Sequence, residues 1–211
     1  MSNNISQLQS PLRIGSESEG NYTEIGTDGT QRLHGTSTAW KDMIADLFGK
    51  RISSIAGKVD YDWDENAIVF QPSGSISNAA DRVGGNQEIN HEFKVGTNIT
   101  FKPHIHWFQD AATKFVLTAR YRLQQNGVAK TTDWTTITST MNEDADVFEY
   151  STGTLNQLTR FPDITVTCGI SDTIQFQIAR TDSFSGNMLV YFFDLHGEVD
   201  SAGSESEISK D

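Results

Sequence analysis

The sequence predicts a mainly β protein: an antiparallel β-sandwich of jelly-roll type with one short amphipathic helix and an extended N-terminal arm. Three observations carry this. From residue 52 onward apolar residues recur at period two in short runs, the period at which one face of a strand is buried. Turn-forming clusters separate the runs at close intervals, as in all-β sandwiches and barrels. Twelve Phe, five Tyr and four Trp supply a core built from few but large side chains, although only 36% of residues are hydrophobic.

Residues 1–36 read as an arm. Met1 to Ser10 is polar and lacks apolar periodicity, so it is expected to be flexible. Tyr22-Thr23-Glu24-Ile25 and Thr30-Gln31-Arg32-Leu33 flank Thr27-Asp28-Gly29, and Asp-Gly between short alternating runs signals a hairpin. The expected result is a small β-ribbon, an extension rather than part of the main core, with surfaces completed by neighbouring copies. Over 38–48, Trp40, Met43, Ile44, Leu47 and Phe48 fit the i, i+3, i+4, i+7, i+8 template of a helix. Ser37 or Thr38 would cap its start, and Gly49 with Lys50 and Arg51 would end it.

A β domain then fills out residues 37–200, with strands expected at 52–61, 66–71, 87–95, 99–108, 114–124, 134–140, 146–151, 163–168, 172–181 and 188–200. Pro72-Ser73-Gly74, Gly84-Gly85-Asn86, Gln125-Asn126-Gly127 and Ser185-Gly186-Asn187 read as turns between them. Phe115, Leu117, Ala119, Tyr121 and Leu123 would face the core, leaving Lys114, Thr118, Arg120, Arg122 and Gln124 outward. Residues 201–211 form a Ser-, Gly- and Glu-rich tail expected to be mobile.

A net charge of -12 opposes phosphate contacts, which argues against a nucleic-acid partner. No apolar run reaches membrane length, so insertion into a bilayer is not expected. No basic segment precedes an apolar signal region, so the chain is expected to begin in the cytoplasm of the cell that makes it. The single cysteine, Cys168, excludes an intrachain disulfide, and its apolar flanks predict a buried small hydrophobe.

The chemistry-bearing residues concentrate in two segments. In Lys102-Pro103-His104-Ile105-His106-Trp107, strand alternation puts His104 and His106 on one face and Ile105 and Trp107 on the other. In Tyr191-Phe192-Phe193-Asp194-Leu195-His196, Asp194 and His196 likewise share a face. Two such strands make either a metal site or a polar cluster that orders a core. Two His and one carboxylate satisfy the ligand count of a facial triad. A cupin-type His-x-His would also need a Glu shortly afterwards, and Gln109 to Thr113 supply none. There is no phosphate loop, no Gly-x-Ser-x-Gly elbow and no His-Glu-x-x-His. The acidic runs Asp60-Tyr61-Asp62-Trp63-Asp64-Glu65 and Glu143-Asp144-Ala145-Asp146 read as solvated loops, the first also as weak calcium-type oxygen ligands. No catalytic residue and no cofactor are therefore expected, and His104, His106, Asp194 and His196 are expected to order the core.

Three blocks carry a resemblance. The first is Asn21-Tyr22-Thr23-Glu24 with Asp28-Gly29-Thr30, His34-Gly35, Trp40 and Asp42. The second is Pro103-His104-Ile105-His106-Trp107 with Tyr121 and Asp133-Trp134-Thr135. The third runs from Val190 to Asp200, then Gly203-Ser204 and Glu207. In this order, over residues 20 to 207, the chain resembles a family of tailed-bacteriophage virion proteins, described as structural, tail or head-accessory components. The resemblance implies a non-enzymatic virion protein that assembles as a homo-oligomer, a trimer, and docks on other virion proteins. Two further classes stay open. One is a carbohydrate-binding β-sandwich that stacks host glycans on Trp63, Trp107 or Trp134. The other is a metal-dependent oxygenase or sugar-modifying enzyme using His104, His106, Asp194 and His196.

Overall fold

The computed structural model of the chain describes residues 10–27, 30–35, 39–45, 57–64, 66–109, 115–141 and 156–200. Among them the elements are almost entirely strands. An N-terminal ribbon holds β1 (Leu12–Ser16), β2 (Asn21–Ile25) and β3 (Gln31–Leu33). The body holds β4 (Ala39–Ala45), β5 (Val59–Asp62), β6 (Ala67–Phe70), β7 (Val83–Glu88), β8 (Gly96–Gln109), β9 (Phe115–Gln124) and β10 (Thr135–Met141). It is completed by β11 (Asn156–Arg160), β12 (Ile164–Cys168), β13 (Thr173–Arg180) and β14 (Met188–Val199).

The body is a two-sheet antiparallel sandwich. One sheet has the order β10-β9-β13-β7, and the other runs β11-β8-β14-β6-β5, with β12 also on β8 and β4 also on β14. Spatially, β6-β14-β8-β11 of one sheet faces β7-β13-β9-β10 of the other, and from β6 onward the chain crosses between the sheets except at the β9–β10 hairpin and from β11 to β12. This double Greek-key order is that of a jelly roll. Alternation supplies the core: Phe101, Ile105 and Trp107 of β8 face inward, as do Phe193 and Leu195 of β14. They meet Phe115, Leu117, Ile174, Phe176 and Ile178 from the other sheet. Trp107 lies edge-on to Phe115 at 5.8 Å, and Phe176 stacks on Phe193 at 4.2 Å. Both pairs are in the favoured range for aromatic contact. On β9 the expected inward set begins with Phe115, Leu117 and Ala119, all buried.

Several expectations are corrected. The helix over 38–48 is instead strand β4 where the chain is described, paired antiparallel with β14 so that Met43 faces Leu195 and Asp42 faces His196. The i, i+4 spacing of Trp40 and Ile44 fits both periods, because four residues complete either about one helical turn or two strand repeats. The free edge of β14 decides between them, since its unpaired backbone groups are satisfied by a strand and not by a helix. Residues 46–48 and the proposed caps lie outside the described residues.

Gly84-Gly85-Asn86 is not a turn but lies inside β7, so the strand expected at 87–95 begins earlier and ends at Glu88. A Cβ on Gly84 would stand 2.7 Å from the Phe176 carbonyl oxygen, so glycine is there for close strand approach. Asp60 and Asp62 belong to β5 rather than to a loop. β1 and β11 were not foreseen. The strand expected at 146–151, the run Glu143–Asp146 and the tail after 200 lie outside the described residues.

Candidate functional site

The outer face of the larger sheet gathers the chemistry-bearing residues. On β8, the residues facing away from the core are Lys102, His104 and His106, because Phe101, Pro103, Ile105 and Trp107 point inward and are buried. β14 pairs with β8 so that Asp194 lies opposite His104 and Phe192 opposite His106. An irregularity between Val190 and Phe192 shifts the register and turns Phe192 outward, 47% exposed. β4 adds Trp40, Asp42 and Ile44 to the same face through its register with β14.

The structure brings His104, His106, Asp194 and His196 into one cluster. His104 Nε2 stands 3.2 Å from His106 Nε2 and 2.7 Å from Asp194 Oδ1, and His106 Nε2 is 3.7 Å from Asp194 Oδ2. The His196 ring meets the His104 ring edge-on at 4.1 Å, and its Nε2 lies 2.7 Å from Asp42 Oδ1. His104 and Asp194 are buried, whereas the His106 and His196 side chains are partly exposed. Burial, and next the neighbouring His104, push the His196 imidazole below its usual pKa. Two sets of potential ligands, His104-His106-Asp194 and Asp42-Asp194-His196, each have their donor atoms within 4.8 Å of one another. Both share Asp194.

Asp42 was missed because the helical reading of 38–48 assigned no face to it. The signal was present in the alternation Trp40-x-Asp42-x-Ile44, which a strand projects to one side. The acidic run near residue 60 is used locally: Asp60 Oδ1 accepts the Tyr61 N–H and Asp62 Oδ1 the Asp64 N–H.

The tryptophans named for sugar stacking differ sharply in exposure. Trp107 is fully buried and cannot meet a ligand. Trp134 is flanked by the guanidinium groups of Arg120 and Arg122, at 4.8 and 4.5 Å from its ring. Trp63 is open, 85% exposed, with Tyr61 edge-on at 4.6 Å. Trp40, 44% exposed, carries the Lys102 ammonium 4.0 Å above its ring.

No protein-family model and no curated protein matches the chain. Among solved structures, the chain is similar to a carbohydrate-binding module, TmCBM27, studied for specific mannan recognition. The likeness has a TM-score of 0.33 at 10% identity, covering 75% of this chain and 88% of that one.

Proposed function

We propose that the chain is a non-enzymatic structural protein of a bacteriophage particle. It would be a tail, head-accessory, decoration or fibre component that self-assembles as a trimer and docks on other virion proteins. The observation that carries this is the N-terminal ribbon. Its three strands form a sheet of their own, and no described residue between 10 and 35 is buried. A three-stranded sheet with no buried residue among those described is marginal in isolation. Leu12 and Ile14 are 45% and 59% exposed on its edge strand, where apolar side chains need a partner. A neighbouring copy or a particle protein would supply the missing layer. The resemblance of the three sequence blocks supports the same assignment.

Sedimentation of the full chain at micromolar concentration tests this reading. The expected species is a trimer that loses its association when the ribbon is deleted. A monomer that persists after mild crosslinking counts decisively against it.

A second reading, glycan binding for host attachment, is favoured by one observation: Trp63 is nearly bare beside Tyr61. Aromatic faces left in water suit stacking against sugar rings. Affinity electrophoresis in polysaccharide gels, comparing the protein with Trp63→Ala, tests it. Equal mobility of the two in every gel removes this reading.

A further inference from the structure

We propose that His104, His106 and Asp194 form a binding site for one divalent first-row transition ion, with zinc as the simplest occupant. Independent of the assembly role, the site would clamp β8 to β14 across the outer face of the larger sheet.

The first argument is the mutual geometry of the three side chains. Two ligand atoms bound at about 2.0–2.1 Å to a common ion, subtending angles between octahedral and tetrahedral values, stand about 2.8–3.4 Å apart. The separations among His104 Nε2, His106 Nε2 and the Asp194 carboxylate oxygens are 2.7, 3.2 and 3.7 Å, straddling that range. Both imidazoles present the same ring nitrogen, Nε2, toward the carboxylate.

The second argument is that hydrogen bonding alone does not satisfy the cluster. Asp194 Oδ1 and His196 Nε2 are buried and have no hydrogen-bond partner. The 2.7 Å approach of His104 Nε2 to Asp194 Oδ1 is therefore close but not aligned for a proton. A neutral imidazole carries one N–H. If His104 Nε2 accepts from His106, its lone pair is committed and no proton faces Asp194. If it carries the proton toward Asp194, then His106 must present its own Nε2 proton elsewhere or accept. A buried carboxylate oxygen left without a proton donor is costly. A cation placed among the three atoms turns each lone pair into a ligand and balances the charge of Asp194.

The donor set selects the ion. Imidazole with carboxylate suits zinc and the neighbouring divalent transition ions, whereas calcium and magnesium take oxygen ligands. Access comes from the side of His106, whose side chain is 23% exposed, while those of His104 and Asp194 are each 4% exposed, on strands whose pairing sets them opposite each other. Phe192 packs edge-on against the His106 ring at 5.7 Å, which limits its rotation and preorganises the site. Three protein ligands would leave at least one coordination position open.

The test uses the full, untagged chain stripped with a chelator and titrated calorimetrically with zinc alone. One equivalent is expected to bind and to raise the thermal midpoint. His106→Gln and Asp194→Asn are each expected to weaken binding by at least about 100-fold, beyond the effect of losing an outer partner of a ligand. His91→Gln, outside the cluster, is expected to bind as the parent does. As a check that does not depend on Asp194→Asn folding, cobalt is also added to the unmutated protein, where the ligand-field absorption of a low-symmetry bound ion is expected in place of the weak aqueous band. Folded protein, verified by circular dichroism, that takes up no zinc at millimolar concentration overturns the proposal. So does a His106→Gln protein that binds zinc as tightly as the parent.

Discussion

Arg180 holds Asp182, two residues further along the chain, with Nε at 3.1 and 3.0 Å from its two carboxylate oxygens and Nη2 at 2.8 Å from Oδ1, the Arg side chain wholly buried. The guanidinium also donates to the carbonyls of Phe70, Phe184 and Gly186, and it lies 4.2 Å above the Phe115 ring. Asp182 in turn accepts the N–H groups of Val116 and Phe184. The pair thus pins the chain leaving β13 to the start of β9 and to the end of β6. A buried pair with every polar atom engaged resists the loss of either member.

Arg180→Met is therefore expected to destabilise the fold by about 3–5 kcal/mol, because Asp182 stays buried without its cation. Urea unfolding followed by tryptophan fluorescence measures this. A change below about 1 kcal/mol, the scale of an exposed ion pair, would show that the pair is open to solvent in solution.

The Phe176–Phe193 stack at 4.2 Å is, with Trp107–Phe115, a direct aromatic contact between the two sheets. Each Phe→Ala substitution should cost about 3–5 kcal/mol. A double-mutant cycle should show a coupling of about 0.5–1.5 kcal/mol beyond the lost area. Strictly additive losses would mean the rings do not touch.

Met43 and Ile44 separate the strand from the helix. As a strand, β4 buries Met43 and leaves Ile44 64% exposed. Met43→Ala should cost about 2–5 kcal/mol, and Ile44→Ala should stay within about 0.5 kcal/mol of the parent. Comparable losses at both positions would restore the amphipathic helix.

Burial, and next the charge of Asp172, raise the Cys168 thiol from 9.0 to about 11. The folded state holds this proton more tightly than the unfolded chain. The associated stability is therefore present below pH 9 and is lost as pH rises toward 11. The parent should lose more stability than Cys168→Ala over that interval, measured by urea midpoints at successive pH values. At pH 8 the thiol should react with iodoacetamide only after unfolding. Rapid alkylation of the folded protein would contradict its burial.

Period-two alternation and turn residues were enough to place most of the body. β9 and β13 are legible because their inward residues are large and apolar and their outward residues polar, a contrast that needs no partner to be seen. The facing of His104 with His106, and of Asp194 with His196, also follows from strand alternation alone. The register that sets Asp194 opposite His104 does not, because it depends on which strands become neighbours and on the irregularity at Val190–Phe192. β4 was illegible for the same reason: the spacing of Trp40 and Ile44 suits two periods, and only the unpaired edge of β14 selects the strand. That selection brought Asp42 to His196, a contact between residues far apart in sequence. Local pattern determines which face a side chain takes, because it is a property of one backbone. Which faces meet is decided by pairing between strands, and that belongs to the folded chain as a whole.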